Sequence, residues 1–262
     1  MRRLMVAAML AIACLGLCTT SAWADLFGIN FQGRIDGTAN DPSLKMNALS
    51  PSEVAGVIAQ NNWNNDPTLV GGAGTHTLNQ LMDSTGTHTS LSLSVNANDS
   101  WFSHSGTADP NHKLLNGIIK SSNSQPTSTY KFANLAPGGT YSLIAYTLEN
   151  DGQANNNLTI GTTKYITTAQ NGVDFTGAFI RAVNTDPAAG KRDVGNYVQF
   201  DSVTADGNGR LVLTDLWISG TDGSGIAGIQ LQGPAPVPEP ASVVLFGLGT
   251  LALIGWRWRR TA

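Results

Sequence analysis

Tyr130-Lys131-Phe132-Ala133-Asn134-Leu135, the turn Pro137-Gly138-Gly139, and Tyr141-Ser142-Leu143-Ile144-Ala145-Tyr146-Thr147-Leu148 decide the fold of this 262-residue chain. Two aromatic-rich apolar runs flank a Pro-Gly-Gly break. Aromatic side chains suit a pleated, half-buried surface, and the break is turn chemistry, so the stretch reads as strand, turn, strand.

The same unit recurs in both directions. Leu26 to Phe31, Leu91-Leu93-Val95 alternating with Ser, Leu158 to Ile160, Lys164 to Ile166 and Phe175 to Val183 are further strand segments. Tyr197 to Val203, Leu211 to Ile218 and Ile226 to Leu231 complete a set of ten. Asn150-Asp151-Gly152, Asn171-Gly172, Asp206-Gly207-Asn208-Gly209 and Asp222-Gly223 separate them. Ten short strands at this spacing predict an all-β, antiparallel sandwich. Helix is scarce. Ser50-Pro51-Ser52-Glu53 has capping-box order and supports one turn, and Lys113 to Ile119 supports another.

The two ends have a different character. Arg2 and Arg3 precede an uncharged apolar run, Leu4 to Leu17, and then Ala22-Trp23-Ala24. That is the order of a secretory signal peptide, residues 1–24, with a small-x-small cleavage site. Cys14 and Cys18 both lie within it, so the body beyond residue 24 holds no cysteine and no disulfide or thiolate site. At the other end, Pro234 to Pro240 is a proline-rich linker closing on Pro238-Glu239-Pro240. Ala241 to Trp256 is apolar, about 24 Å long as a helix at ~1.5 Å per residue, marginal against a hydrocarbon core of about 30 Å. Trp256 and Trp258 favour the headgroup region and extend it, and Arg257, Arg259 and Arg260 stay on the cytoplasmic side.

Between the ends, residues 25–233 form one domain. Removing the ends takes Lys plus Arg from 15 to 10 and Asp plus Glu from 18 to 17, so net charge moves from −3 to about −7. An acidic body argues against nucleic acid as a partner.

Proline, acid, proline, a short membrane-length stretch and a terminal arginine cluster resemble the PEP-CTERM signal of bacterial surface proteins. The resemblance implies processing by signal peptidase and by an exosortase. It also implies a precursor tethered in the inner membrane and delivery to the cell surface or extracellular matrix. A plain C-terminal membrane anchor is the alternative. A second resemblance lies in Ile29-Asn30-Phe31, Gln60-Asn61-Asn62-Trp63-Asn64-Asn65, Asn98-Asp99-Ser100-Trp101, Leu135 to Tyr146 with Asn150-Asp151-Gly152, and Gly225-Ile226-Ala227-Gly228-Ile229-Gln230-Leu231. These pieces are similar to large exported bacterial β-sandwich proteins carrying the same tag. They imply a galactose-binding-like jelly roll, a fold that often hosts carbohydrate binding but does not by itself fix a function.

No catalytic constellation stands out. The body has two glutamates, Glu53 and Glu149, and its aspartates sit mostly in turns. A non-catalytic protein is expected, with a polysaccharide-active enzyme as the remote alternative. Trp63 and Trp101, each among Asn, Asp and Ser, are candidates for stacking on an extracellular sugar; the competing reading has them plugging the sandwich. No cofactor is expected. A structural calcium is conceivable at Asp206 and Asn208 or at Glu149 and Asp151, though both sequences are ordinary hairpin turns. None of His76, His88, His104 and His112 is spaced as a metal pair on one element; His104, Asp109 and His112 lie close in a polar loop as a candidate metal group, with surface loop residues as the competing reading. N-terminal sequencing of the exported protein should return Asp25 first; a product that keeps Arg2 and Arg3 would refute cleavage after Ala24.

Overall fold

Alternation along β8 (Thr140–Tyr146) divides its side chains between two different layers, and that division organises the molecule. The computed structural model describes residues 25–33, 47–67, 74–102, 109–121, 125–147, 155–168, 175, 177–185, 193–217 and 224–236. The N-terminal apolar run, the 237–262 tail and the Glu149-Asp151 loop lie outside them. Among the described residues there are fifteen strands and one helix. The first strands are β1 (Asp25–Phe31), β2 (Asn64–Asp66), β3 (Gly74–Leu78), β4 (Ser92–Ala97) and β5 (Asp99–Phe102). Helix α1 (Pro110–Asn116) follows, then β6 (Gly117–Ser121), β7 (Thr127–Ala133), β8, β9 (Asn155–Ile160) and β10 (Thr163–Thr168). β11 (Asp193–Val194), β12 (Tyr197–Thr204), β13 (Leu211–Trp217), β14 (Ser224–Ile226) and β15 (Gly228–Gly233) complete the order.

Three sheets result. Five strands run in the order β12-β8-β15-β1-β2, seven in the order β11-β10-β9-β13-β7-β4-β3, and three in the order β14-β6-β5. The all-β expectation holds. Pairing is antiparallel except between β1 and β2 and between β10 and β11, which run parallel. The five- and seven-stranded sheets pack face to face. Phe27, Ile29 and Phe31 of β1, Leu143 and Ala145 of β8, and Ile229 and Leu231 of β15 meet Leu93 and Val95 of β4, Tyr130 and Phe132 of β7, and Leu211 and Leu213 of β13. On the solvent side of the seven-stranded sheet, Thr75, Asn96, Thr129, Thr214, Thr159 and Lys164 stand in register across six strands. This is the inward-apolar, outward-polar alternation of a sheet with one wet face.

The middle of the five-stranded sheet has no such face. Ile144 and Tyr146 of β8 point away from the sandwich into a second cluster with Leu49, Trp63, Leu114, Leu115, Phe175 and Ala227. Glycines make room for this layer. A Cβ on Gly28 would lie 2.4 Å from Gln60 Nε2 and 2.6 Å from Trp63 Cε3, and one on Gly228 would lie 2.7 Å from Leu114 Cδ1.

Several local expectations are corrected. The helical turn expected over Lys113 to Ile119 is a helix with shifted bounds, beginning at Pro110 and ending at Asn116. Asp109 caps it by accepting from the backbone N–H of Asn111 and His112, and proline sits where its missing N–H costs nothing. The helix ends at Asn116 because β6 pairs with β5 and β14 from Gly117 onward. Ser50 to Glu53 forms half of the capping box, with Glu53 Oε2 accepting from Ser50 N at 2.6 Å, and makes a turn without a helix. Phe175 to Val183 is not a strand. Gly177 takes φ +90°, Phe175 and Phe179 turn into the second cluster, and only Arg181 bridges to Tyr197. Ile226 to Leu231 is two strands rather than one, changing partners at Ala227 from β6 to β1 and β8.

Gly117 is the tightest joint. A Cβ there would meet Phe31 O at 2.1 Å and Gln32 C at 2.2 Å, both backbone atoms that cannot rotate aside. Gly117→Ala should destabilise the protein by about 3 kcal/mol or prevent folding, the upper end of the overpacking range; a urea midpoint matching wild type would contradict the backbone clash.

Candidate functional site

Trp63 does not present its ring. It is 3% exposed, packs against Tyr146 with ring centroids 6.4 Å apart, and donates its indole N–H to Gln60 O at 3.0 Å. The expected stacking face is therefore buried, which corrects Trp63 as a sugar platform. Its amide neighbours are engaged as well. Asn64 donates to Gly28 O and Met82 O and accepts from Met82 N. Asn65 exchanges two bonds with the backbone of Leu49 and receives Asn30 Nδ2. Asn62 holds Ser84 O from a left-handed backbone conformation, φ +53°. Trp101 pairs through its backbone with Ile118 between β5 and β6; its indole lies outside the described atoms.

The other candidates are held by local structure. Asp206 Oδ1 accepts from Asn208 N at 2.8 Å and Arg210 N at 2.9 Å, so the carboxylate closes its own hairpin between β12 and β13. Asp109 caps α1 and contacts His112, whose ring meets Phe175 edge-on at 5.1 Å. His104, the third member of that expected group, lies outside the described residues. His76 is bound to the buried Asp66 at 2.7 Å. Glu53 pairs with Lys113; burial pushes its carboxyl up, but the bonds from Lys113 and Ser50 outweigh this and hold it below the usual range. Among the described residues no group of three or more His, Cys, Asp or Glu side chains converges to hold a metal.

A different site opens at the edge where β1 begins and β15 ends. Asp25 and Gly233 are register partners, so both ends of the body leave from this edge. Beside them lies an open groove of about 910 Å³, lined by Asp25, Gln80, Asp83, His88, Asn134 and Pro236, with Ser90 and Ser92 also in its lining. Its walls are tied by hydrogen bonds. Asp83 Oδ1 accepts from Thr85 N, Thr85 Oγ1 and Thr87 N at 2.7–2.9 Å, and the 81–91 hairpin is closed by Leu81–Leu91 and Asp83–Thr87 backbone bonds. His88 Nδ1–H donates to Gln80 O at 2.9 Å, which in the neutral ring leaves Nε2 as the acceptor. Asn134 Nδ2 donates to Ser90 O at 2.8 Å, which leaves Oδ1. Gln80 and Asn134 both sit in the left-handed region, at φ +53° and +68°. For glutamine that conformation is uncommon and costs free energy. Burial, and then the Asp83 carboxylate beside it, hold the Asp25 carboxyl above its ordinary value.

Sequence reading passed over these residues. Asp25, His88 and Asn134 come from three distant segments with no local motif. Asn134 in particular falls at the end of the Tyr130 to Leu135 run, which reads as a strand.

The tag residues Pro238, Glu239 and Pro240 and the cluster Trp256 to Arg260 lie outside the described residues, as do Ala22 and Ala24. Among the described residues no helix is long and apolar enough to cross a membrane. Residues 236–260 match the PEP-CTERM protein-sorting motif. No curated protein and no solved structure shows a significant match to the chain. The motif is a substrate signal for exosortase processing and marks an exported, membrane-processed protein.

The raised Asp25 carboxyl gives a pH test. Its folded form holds a proton more tightly than the unfolded chain, so its contribution to stability is full below its ordinary value near 3.8 and is lost as pH rises through the higher folded value. Asp25→Asn should therefore raise the urea midpoint at pH 7, with the gain shrinking to nothing at low pH. A gain of the same size at pH 3 would remove charge as the cause.

Proposed function

We propose that this is a non-catalytic surface or matrix protein whose sandwich body associates with extracellular polysaccharide after the sorting tag has been removed. The match of residues 236–260 to the sorting motif carries this reading. The tag begins at Pro236, three residues beyond the end of β15, so the body reaches its membrane attachment through a short proline-rich spacer. Extended at ~3.1 Å per residue, the eight steps from Gly233 to Ala241 span about 25 Å. The exosortase cuts near Pro238-Glu239-Pro240 within that gap. The arginines remain on the cytoplasmic side, and the body passes outward.

A β-sandwich of galactose-binding-like, jelly-roll type suits the second half of the proposal, and the polar groove gives a sugar a place to lie. The engagement of the carboxylates and histidines by caps, hairpins and ion pairs supports a body without catalysis. A purely structural module is the second reading, favoured by the burial of Trp63 and by the structural work of the surrounding asparagines. No cofactor and no nucleic-acid partner is part of this reading, and the Asp206 carboxylate is engaged by its own hairpin.

Mass spectrometry of the surface form should end the chain near Pro238-Glu239-Pro240. An intact peptide covering Trp256 to Ala262 on that form would exclude tag removal and leave a plain anchor.

A further inference from the structure

The geometry points to the groove at the β1–β15 edge as the binding site for a neutral, hydroxyl-rich glycan chain. The inference rests on the carbohydrate reading above and gives it a location and a chemistry that neither tryptophan supplies. The lining offers acceptors beside its donors. His88 donates Nδ1–H to Gln80 O, which in the neutral ring leaves Nε2 as an acceptor. Asn134 donates one Nδ2–H to Ser90 O and keeps its second N–H and Oδ1. Asp83 anchors its loop through Oδ1 alone and keeps Oδ2. The Asp25 carboxylate stands beside Asp83. A complementary ligand both donates and accepts hydrogen bonds, as sugar hydroxyls do.

The sign of the charge narrows the class. Two neighbouring carboxylates in the groove, on a body of about −7, repel an acidic polysaccharide and leave a neutral one. Preorganisation supports a site over an incidental dent. The strained Gln80 and Asn134 backbones both line the groove, and each is held there by a bond that also orients an acceptor. The groove is open and carries no aromatic ring on its wall, so binding to single sugars should be weak and should strengthen with chain length.

The test uses the full-length protein in detergent with neutral hexaoses of glucose, galactose and mannose, observed by saturation-transfer NMR and titration. Two variants remove acceptors while sparing the fold. Asn134→Gly keeps the left-handed backbone conformation, and His88→Ala leaves the hairpin bonds in place. Circular dichroism and the urea midpoint check each for folding. The expected result is saturation transfer to at least one hexaose, with affinity falling at least tenfold in both variants and by little for a monosaccharide already bound weakly. Wild-type affinity in both variants would move the glycan site elsewhere, overturning the groove while the carbohydrate reading stands. No transfer to any hexaose would overturn both. Binding only to acidic oligosaccharides, or a response of the groove to calcium alone, would overturn the neutral-glycan assignment.

Discussion

β1 and β15, in the middle of the five-stranded sheet, are covered on both faces, and the rest of the architecture depends on that. A strand buried on one side is specified by alternation, because a one-residue slip would expose its apolar set. β1 is buried from Leu26 to Phe31, and β15 from Gly228 to Leu231, so alternation alone cannot tell their two faces apart. Polar side chains on the outer face do so. Gln230 accepts from Ile58 N, donates to Ile58 O and Gln60 Oε1, and takes the Tyr146 hydroxyl at 2.5 Å, or about that length. That tyrosine in turn meets Val57 N, and burial pushes its hydroxyl pKa far up, so it stays protonated across the physiological range. Asn30 reaches Asn47 O and Asn65, while Asn47 reaches Gln32 O. Each such bond adds about 1 kcal/mol net, but leaving one partner buried and unpaired costs about 1–3 kcal/mol, so the set selects one seating of the 47–63 segment.

Where one face of a strand meets water, the sequence announced the strand. β13 alternates buried Leu211, Leu213 and Asp215 with outward Val212, Thr214 and Leu216, and the Asp206 hairpin before it is plain turn chemistry. β2 and β3 could not be read in the same way. Asn64-Asn65-Asp66 and Gly74-Thr75-His76-Thr77-Leu78 have no apolar run, and they become strands because β1 and β4 offer them edges. Trp63 shows the limit from the other side. Its polar company suggested an exposed loop, yet those amides bind backbone groups and roof the indole instead. Gly28 and Gly228, which leave space for that layer, were the available clue, and glycine in a strand has several meanings. The groove was illegible for a simpler reason: its acceptors are assembled from segments more than forty residues apart.

The groove and the sorting tag share a wall. Ala235 and Pro236 line the first, and Pro236 opens the second. This edge of the body is the one that leads into the tag, and the neighbouring Asp25 and Asp83 carboxylates lie beside it.

The pairing of β1 with β15 has a further meaning for how the molecule comes into being. These are the first and last strands of the body, bonded from Asp25–Gly233 to Asn30–Gly228, with roughly 200 residues between them. Contacts of such long range close large loops and form slowly. The five-stranded sheet can be completed only when β15 is available, so a chain cut short anywhere upstream of it lacks the strand that joins β1 to β8.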